Sequence, residues 1–339
     1  MNATIQRYHW ADVAKGILIL MVIFHHIPQV ALSKGWDTAI WNGMNDIRYF
    51  YCCFFMAAFF LLTGYCSGFN KDFKPFLIKS LKSLILPAIT IGGIILIINA
   101  VVNGTGIISV VKGLVRRVIG GVNTWFLSSL FIARIVYWVI NRITTTQAVK
   151  CILSLCVMAL GFFLHDMGVL NVWFFQHAFA MTFFLFVGDF TRQLVMGDME
   201  RLKKITGSGA CLFLVVWLVL ILLGLNIPSL NAGFKVTPLD IPMYIVLSLT
   251  GSCLIFFLSI IINCNNTLEY FGKNSLTIYL FQIFFINIVL DVLNRIVPVN
   301  VTPITHFLTI GLALLIVPLL CVGASALFNT KYLRVLIGK

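Results

Sequence analysis

Lys15 and His26 carry chemistry that a lipid environment does not tolerate without a reason. They lie in the run Asp12-Val13-Ala14-Lys15-Gly16-Ile17-Leu18-Ile19-Leu20-Met21-Val22-Ile23-Phe24-His25-His26, and an ionisable group inside an apolar span is costly. On a helix the two side chains are about 20° apart around the axis and roughly 16 Å apart along it. Asp12, three residues before Lys15, shares that face, and His25 projects from another. One face therefore offers an acid, a cation and an imidazole. A lysine at the mouth suits an anionic, phosphate-bearing ligand. An imidazole that titrates near neutrality, held deeper in a dry pocket, suits proton transfer. The same spacing is equally compatible with histidines that only bond between helices and a lysine that snorkels to the interface.

Other polar residues are placed less tellingly. Arg48 opens the second apolar stretch, and Arg134 lies within the fourth, where a partner or a cavity is expected. Ser275, Tyr279 and Gln282 recur at i, i+4 and i+7, a polar stripe that can meet a substrate or glue helices together. His165-Asp166 and His177 flank a short outer loop and read as solvated surface. The nine cysteines include no CxxC pair and no zinc-type spacing. Those within apolar runs (Cys52, Cys53, Cys66, Cys151, Cys156, Cys211, Cys253 and Cys321) read as buried free thiols, and no metal site is expected. Walker, GxGxxG, GxSxG and HExxH motifs are absent, as are a chain of intramembrane carboxylates and paired broken helices, so ATP- or ion-coupled transport has little support.

The elements that must hold these residues follow from composition. Of 339 residues, 60% are hydrophobic and 10% charged, and the mean hydropathy is +1.01. Soluble domains carry about 25% charged residues, which excludes a soluble enzyme, a nucleic-acid module and a disordered chain. The expected fold is all-α: a polytopic membrane helix bundle forming one unit over 1–339. Ten spans are expected, at 13–33, 47–69, 77–102, 122–141, 149–165, 172–191, 209–226, 241–263, 274–296 and 304–328. The first reads as a retained span rather than a cleaved leader. The basic, amphipathic Val110–Ile119 segment suits the membrane interface. The net charge of +13 sorts by side: 15 Lys and Arg fall with the N-terminus and 7 opposite it, which predicts cytoplasmic termini.

Four segments, in order, resemble the membrane acyltransferase type 3 family, in particular its polysaccharide O-acetyltransferase-like branch. Asp12-x-x-Lys15-Gly16-Ile17 followed by His26 is similar to that family's first-span motif. Phe55-Met56-Ala57-Ala58-Phe59-Phe60-Leu61-Leu62-Thr63-Gly64-Tyr65 resembles its second, Trp125-Phe126-Leu127 its Trp-Phe-Leu segment, and Gly272-Lys273-Asn274-Ser275-Leu276-Thr277-Ile278-Tyr279 its late Gly-Lys-Asn-Ser-Leu…Tyr segment. Phe55 and Gln282 stand where members often have His.

The resemblance implies a multi-pass enzyme of the cell membrane. It would move an acyl group, acetyl first, from cytoplasmic acyl-CoA to a hydroxyl of an envelope or extracellular glycan. Acyl-CoA enters as a substrate, with no tightly bound cofactor. His26 is the expected general base and Lys15 with Asp12 the donor-binding pair. Arg48, Trp125, Ser275, Tyr279 and Gln282 are the expected substrate contacts. The partners are acyl-CoA, a carbohydrate or other hydroxyl acceptor, and the bilayer, with no role for nucleic acid. The alternatives are a transporter or flippase of a lipid-linked or hydrophobic molecule, and an inactive scaffold. The acceptor, the acyl group, an acyl-His intermediate and the oligomeric state are left open by the sequence.

Overall fold

The computed structural model describes residues 8–36, 38–104, 106–121, 124–223, 237, 240–296 and 302–339, with backbone alone at 49–50 and 117–119. Arg7, Lys235, the Arg117 side chain, the breakers at 226–229 and 297–300, and the outer ends of the spans expected at 122–141 and 209–226 lie outside the described residues. The described chain is all helical. In order the helices are α1 (His9–Ser33), α2 (Ala39–Cys52), α3 (Phe55–Cys66), α4 (Phe73–Ser80), α5 (Leu86–Val102), α6 (Ile107–Gly113), α7 (Trp125–Ile143), α8 (Gln147–Asp166), α9 (Phe175–Val195), α10 (Met199–Leu222), α11 (Ile241–Ile262), α12 (Asn266–Lys273), α13 (Ser275–Ile296) and α14 (Pro303–Phe328). Among the described residues, nine helices are long and apolar enough to cross a membrane.

Two π-helical turns join elements. Leu81–Ile85 links α4 to α5, giving one apolar rod over Phe73–Val102. Pro87 sits at the start of α5 and has no N–H to offer the preceding turn, and a wider turn is a common way to absorb such a gap. The second, Leu114–Ile119, extends α6, which folds back on the end of α5.

The span expected at 47–69 is not continuous. α2 stops at Cys52, a turn at Cys53 and Phe54 intervenes, and α3 has only 12 residues, about 18 Å against a hydrocarbon core of about 30 Å. Irregular backbone at membrane depth survives only inside protein, and Cys53 and Phe54 are both buried. The freed Cys53 carbonyl accepts from Ser248 Oγ of α11 at 2.5 Å, and the Phe54 ring lies against Gly251. Arg134 also departs from a simple ion pair, its guanidinium lying 5.3 Å from the centre of the Phe76 ring. Cys52, Cys53 and Cys321 are buried as expected, whereas Cys66, Cys156 and Cys211 are exposed. A thiol behaves as a small hydrophobe and so can sit on an apolar outer face.

Two helix crossings bring backbones together. A Cβ on Gly16 of α1 would land on the Leu268 carbonyl of α12, and one on Gly272 of α12 on the Asp12 carbonyl of α1. Gly64 of α3 and Gly188 of α9 make the same reciprocal contact with the Leu185 and Leu61 carbonyls. Small residues at such crossings replace the hydrophobic driving force that lipid does not supply.

Side-chain ties gather both described ends at one end of the bundle. His9 Nδ1 lies 2.8 Å from Glu269 Oε1, and Lys273 Nζ donates to Glu269 Oε2 at 2.6 Å. Asn329 donates to Asn274 at 2.8 Å, and Lys339 to Asn329 at 2.7 Å. An even number of crossings requires that arrangement. Hydrogen bonds from Lys273 and His9 hold the Glu269 carboxyl below its ordinary value of 4.5. A depressed carboxylate contributes stability above its unfolded pKa and loses it as pH falls through the folded one. Wild type should therefore unfold at a higher temperature than Glu269→Gln at neutral pH, and the gap should close on acidification below about pH 4.3. A gap independent of pH, read by thermal melts in detergent, would refute this account of the junction.

Candidate functional site

The α1–α12 crossing sets the site. Because the glycines let the helices touch, α1 is held against the turn that starts α13, and Lys15 faces the first turn of that helix. Between them lies a cavity of about 120 Å³, lined by Lys15, Ile19 and Val22 of α1 and by Ser275 and Tyr279 of α13. Met56, Phe59 and Thr63 of α3, Leu84 of the π-helical turn, and Phe126 and Leu130 of α7 complete the apolar walls. Lys15 Nζ is 3.5 Å from Asp12 Oδ1, with the carboxylate buried. Tyr279 packs against Phe126 at 5.4 Å between ring centres.

His26 continues the same face of α1. Residues 15, 19, 22 and 26 follow heptad-like spacing, so His26 lies one turn beyond Val22, at the deep end of the cavity face. It is partly buried, and its Nδ1 lies 2.8 Å from Gln29 Oε1. An amide oxygen can only accept, so Nδ1 carries the proton and Nε2 keeps its lone pair. That is the tautomer a general base needs. Gln29 was missed by sequence reasoning, although its i, i+3 position was the available signal.

His25 belongs to a separate cluster. It is 4% exposed, with Nε2 3.5 Å from an Arg48 nitrogen and Nδ1 3.3 Å from Cys52 Sγ. Arginine only donates, so Nε2 accepts and the Nδ1 proton faces the thiol. Its ring packs edge-on to that of His26, centres 4.9 Å apart. Arg48 is thus joined to His25 and is not a lining residue of the Lys15 cavity.

Trp125 is also outside that cavity, although its neighbour Phe126 lines it. Trp125 opens α7 and packs at 5.4 Å from His177 and 6.1 Å from Phe174. His177 is buried at 1% exposed, and Asn171 Nδ2 donates to its Nδ1 at 3.1 Å; the loop reading from sequence fails because α9 begins here and packs on α7. Trp173 and Phe174 take left-handed φ values of 55° and 56°, a strain of about 1–3 kcal/mol each that tends to collect at functional sites.

Gln282 completes the stripe from Ser275 and Tyr279 and is fully buried. Neither its nitrogen nor its oxygen has a hydrogen-bond partner among the described residues, at a cost of about 1–3 kcal/mol. Other polar groups are better satisfied. Asp189 takes Tyr137 OH at 2.9 Å, Gln193 at 3.0 Å and Arg192. Ligand atoms of His9, Cys264 and Glu269 come within 4.8 Å of one another, a grouping invisible in the spacing. The Glu269 carboxylate is already held there by Lys273 and His9.

The fold and this inward-facing polar site define a multi-pass membrane protein built around chemistry between helices. The acyltransferase domain family matches residues 8–323, and the chain belongs to it; it is an integral membrane acyltransferase. Comparison with curated proteins and with solved structures gave no match.

Replacing Gln282 by the near-isosteric Leu should raise the unfolding temperature, by the equivalent of about 1–3 kcal/mol, while lowering acyl transfer. A Leu variant that melts at or below wild type would show that the amide is satisfied in the resting protein.

Proposed function

We propose that this chain is an O-acetyltransferase of the cell membrane that uses acetyl-CoA from the cytoplasmic side and esterifies a hydroxyl of an envelope or extracellular glycan. The observation that carries the proposal is the cavity joining Lys15, Ser275 and Tyr279, on the α1 face that leads to His26. The family match supports acyl transfer; donor, acceptor and direction are this proposal's own.

Lys15, steadied by Asp12, attracts the phosphate-bearing end of the donor at the end of the bundle that holds the basic segments. The thin acyl-bearing arm enters the apolar cavity. At its deep end, His26 Nε2 takes the proton of the acceptor hydroxyl as that oxygen attacks the thioester carbonyl. The tetrahedral intermediate then expels the CoA thiolate, which recovers the proton from His26, leaving an ester and free CoA. Ser275 and Tyr279 hydroxyls, and the Gln282 amide, are the donors available to the oxyanion. Gln29 holds the His26 tautomer throughout. The aromatic group at Trp125 and Phe174 offers flat apolar faces to an acceptor sugar.

The test is alkali-labile acetyl ester on envelope glycans from cells carrying wild type, His26→Ala or no gene, with expression checked by immunoblot. His26→Ala should abolish the ester, a loss of at least about 100-fold expected for a general base. Gln29→Leu should lower kcat about tenfold with little change in KM, and Gln29→Glu should restore part of it. Equal ester in all three strains would overturn the reading, and CoA release by purified protein would decide whether another acyl group or acceptor is used.

A further inference from the structure

A second polar pocket lies outside the acyl-transfer site. It has a volume of about 350 Å³ and sits where α6 and its π-helical extension fold back on the end of α5. Lys112 and Arg116 line it together with Asn99, Asn103 and Ser109. Neither cation has an acidic partner among the described residues. Arg116 is carried by the Leu114–Ile119 turn, and π-helical turns recur at functional sites.

The charges are on the unexpected side. Lys112, Arg116 and Arg117 are three of the seven Lys and Arg that the charge count puts opposite the N-terminus, where basic residues are disfavoured. Depth agrees with that count. Leu84 lies beside Lys15 in the cavity, and both α1 and α5 run away from the end that holds His9 and Leu336. Asn99 is about 22 Å beyond Leu84, and His26 about 16 Å beyond Lys15. The pocket therefore lies toward the His26 end of the bundle. Its rim is apolar: Ile97, Val101, Ile107 and Ile108 are 57%, 77%, 79% and 69% exposed. Two unpaired cations, amides and a hydroxyl suit phosphate oxygens, and exposed aliphatic side chains beside them suit hydrocarbon.

We infer that this pocket binds the phosphate or diphosphate head of a membrane lipid, with the lipid tail lying along the exposed face of α5 and α6. The inference goes beyond the acyl-transfer reading. Only the further step, that a lipid held here presents its hydroxyls toward His26, rests on that reading.

Binding is measured on the full chain in a neutral detergent, without acyl donor, so its outcome is independent of catalysis. Farnesyl diphosphate is the probe, with farnesol and inorganic diphosphate as the tail-only and head-only arms. Farnesyl diphosphate should bind at least tenfold tighter than either, and binding should weaken with salt. Lys112→Ala with Arg116→Ala should weaken it about 10- to 30-fold. Lys112→Arg with Arg116→Lys should bind within a few-fold of wild type. Equal binding by the double alanine variant, or inorganic diphosphate binding as tightly as the prenyl probe, would overturn the inference. If the double alanine variant does not fold, salt-insensitive binding to wild type would overturn it equally. Displacement by phosphatidylglycerol would identify a bulk phospholipid as the occupant, and its failure a scarcer phosphate-headed lipid; either upholds the site.

Discussion

The contact on which the rest of the site depends is the backbone crossing of α1 and α12. Gly16 and Gly272 let each helix meet the other's carbonyls, at Leu268 and Asp12. No side chain fits between them, so the distance from α1 to the start of α13 is set by main chain rather than by adjustable packing. Lys15 precedes Gly16 and Ser275 follows Gly272 by three, so two groups far apart in sequence reach one cavity. Side-chain ties at the same end, through Glu269 and Asn274, hold the crossing in register.

α1 then divides its polar load between two faces. His26 and Lys15 share the cavity face, while His25 turns toward Arg48 and Cys52. Adjacent histidines on a helix necessarily diverge, and here the divergence gives them different partners and opposite tautomeric needs. His25 is locked between a donor and a thiol, whereas His26 is bonded at one nitrogen only in the bonds described. Buried polar groups held this way also align α1 against α2, a helix with little hydrophobic reason to choose one rotation over another within lipid.

The sequence made much of this legible where the interaction is periodic. The Lys15–His26 register and the Ser275–Tyr279–Gln282 stripe follow from helix geometry alone, and nine apolar helices match expected spans. What it did not show depends on contacts distant in the chain. The break at Cys53 needs Ser248 to receive its carbonyl. The burial of His177 needs Trp125 and Asn171. The meeting of His9, Cys264 and Glu269 joins residues at opposite ends of the chain. Gln29 is the exception, a local partner passed over because a lone glutamine near a span end carries no distinctive signal.

The π-helical turn at Leu81–Ile85 has a consequence for how this chain can change over generations. The turn holds one residue more than an α-helix would use. Its upstream arm is committed to the Arg134 contact through Phe76, and its downstream arm to the C-terminal turn through Thr90, which donates to the Leu336 carbonyl at 2.6 Å. Loss of a single codon there would regularise the helix yet rotate everything after it by about 100°, carrying Pro87, Ala88 and Ile91 out of the interior. Point substitution is open to the lipid face of this rod, but drift in its length is closed.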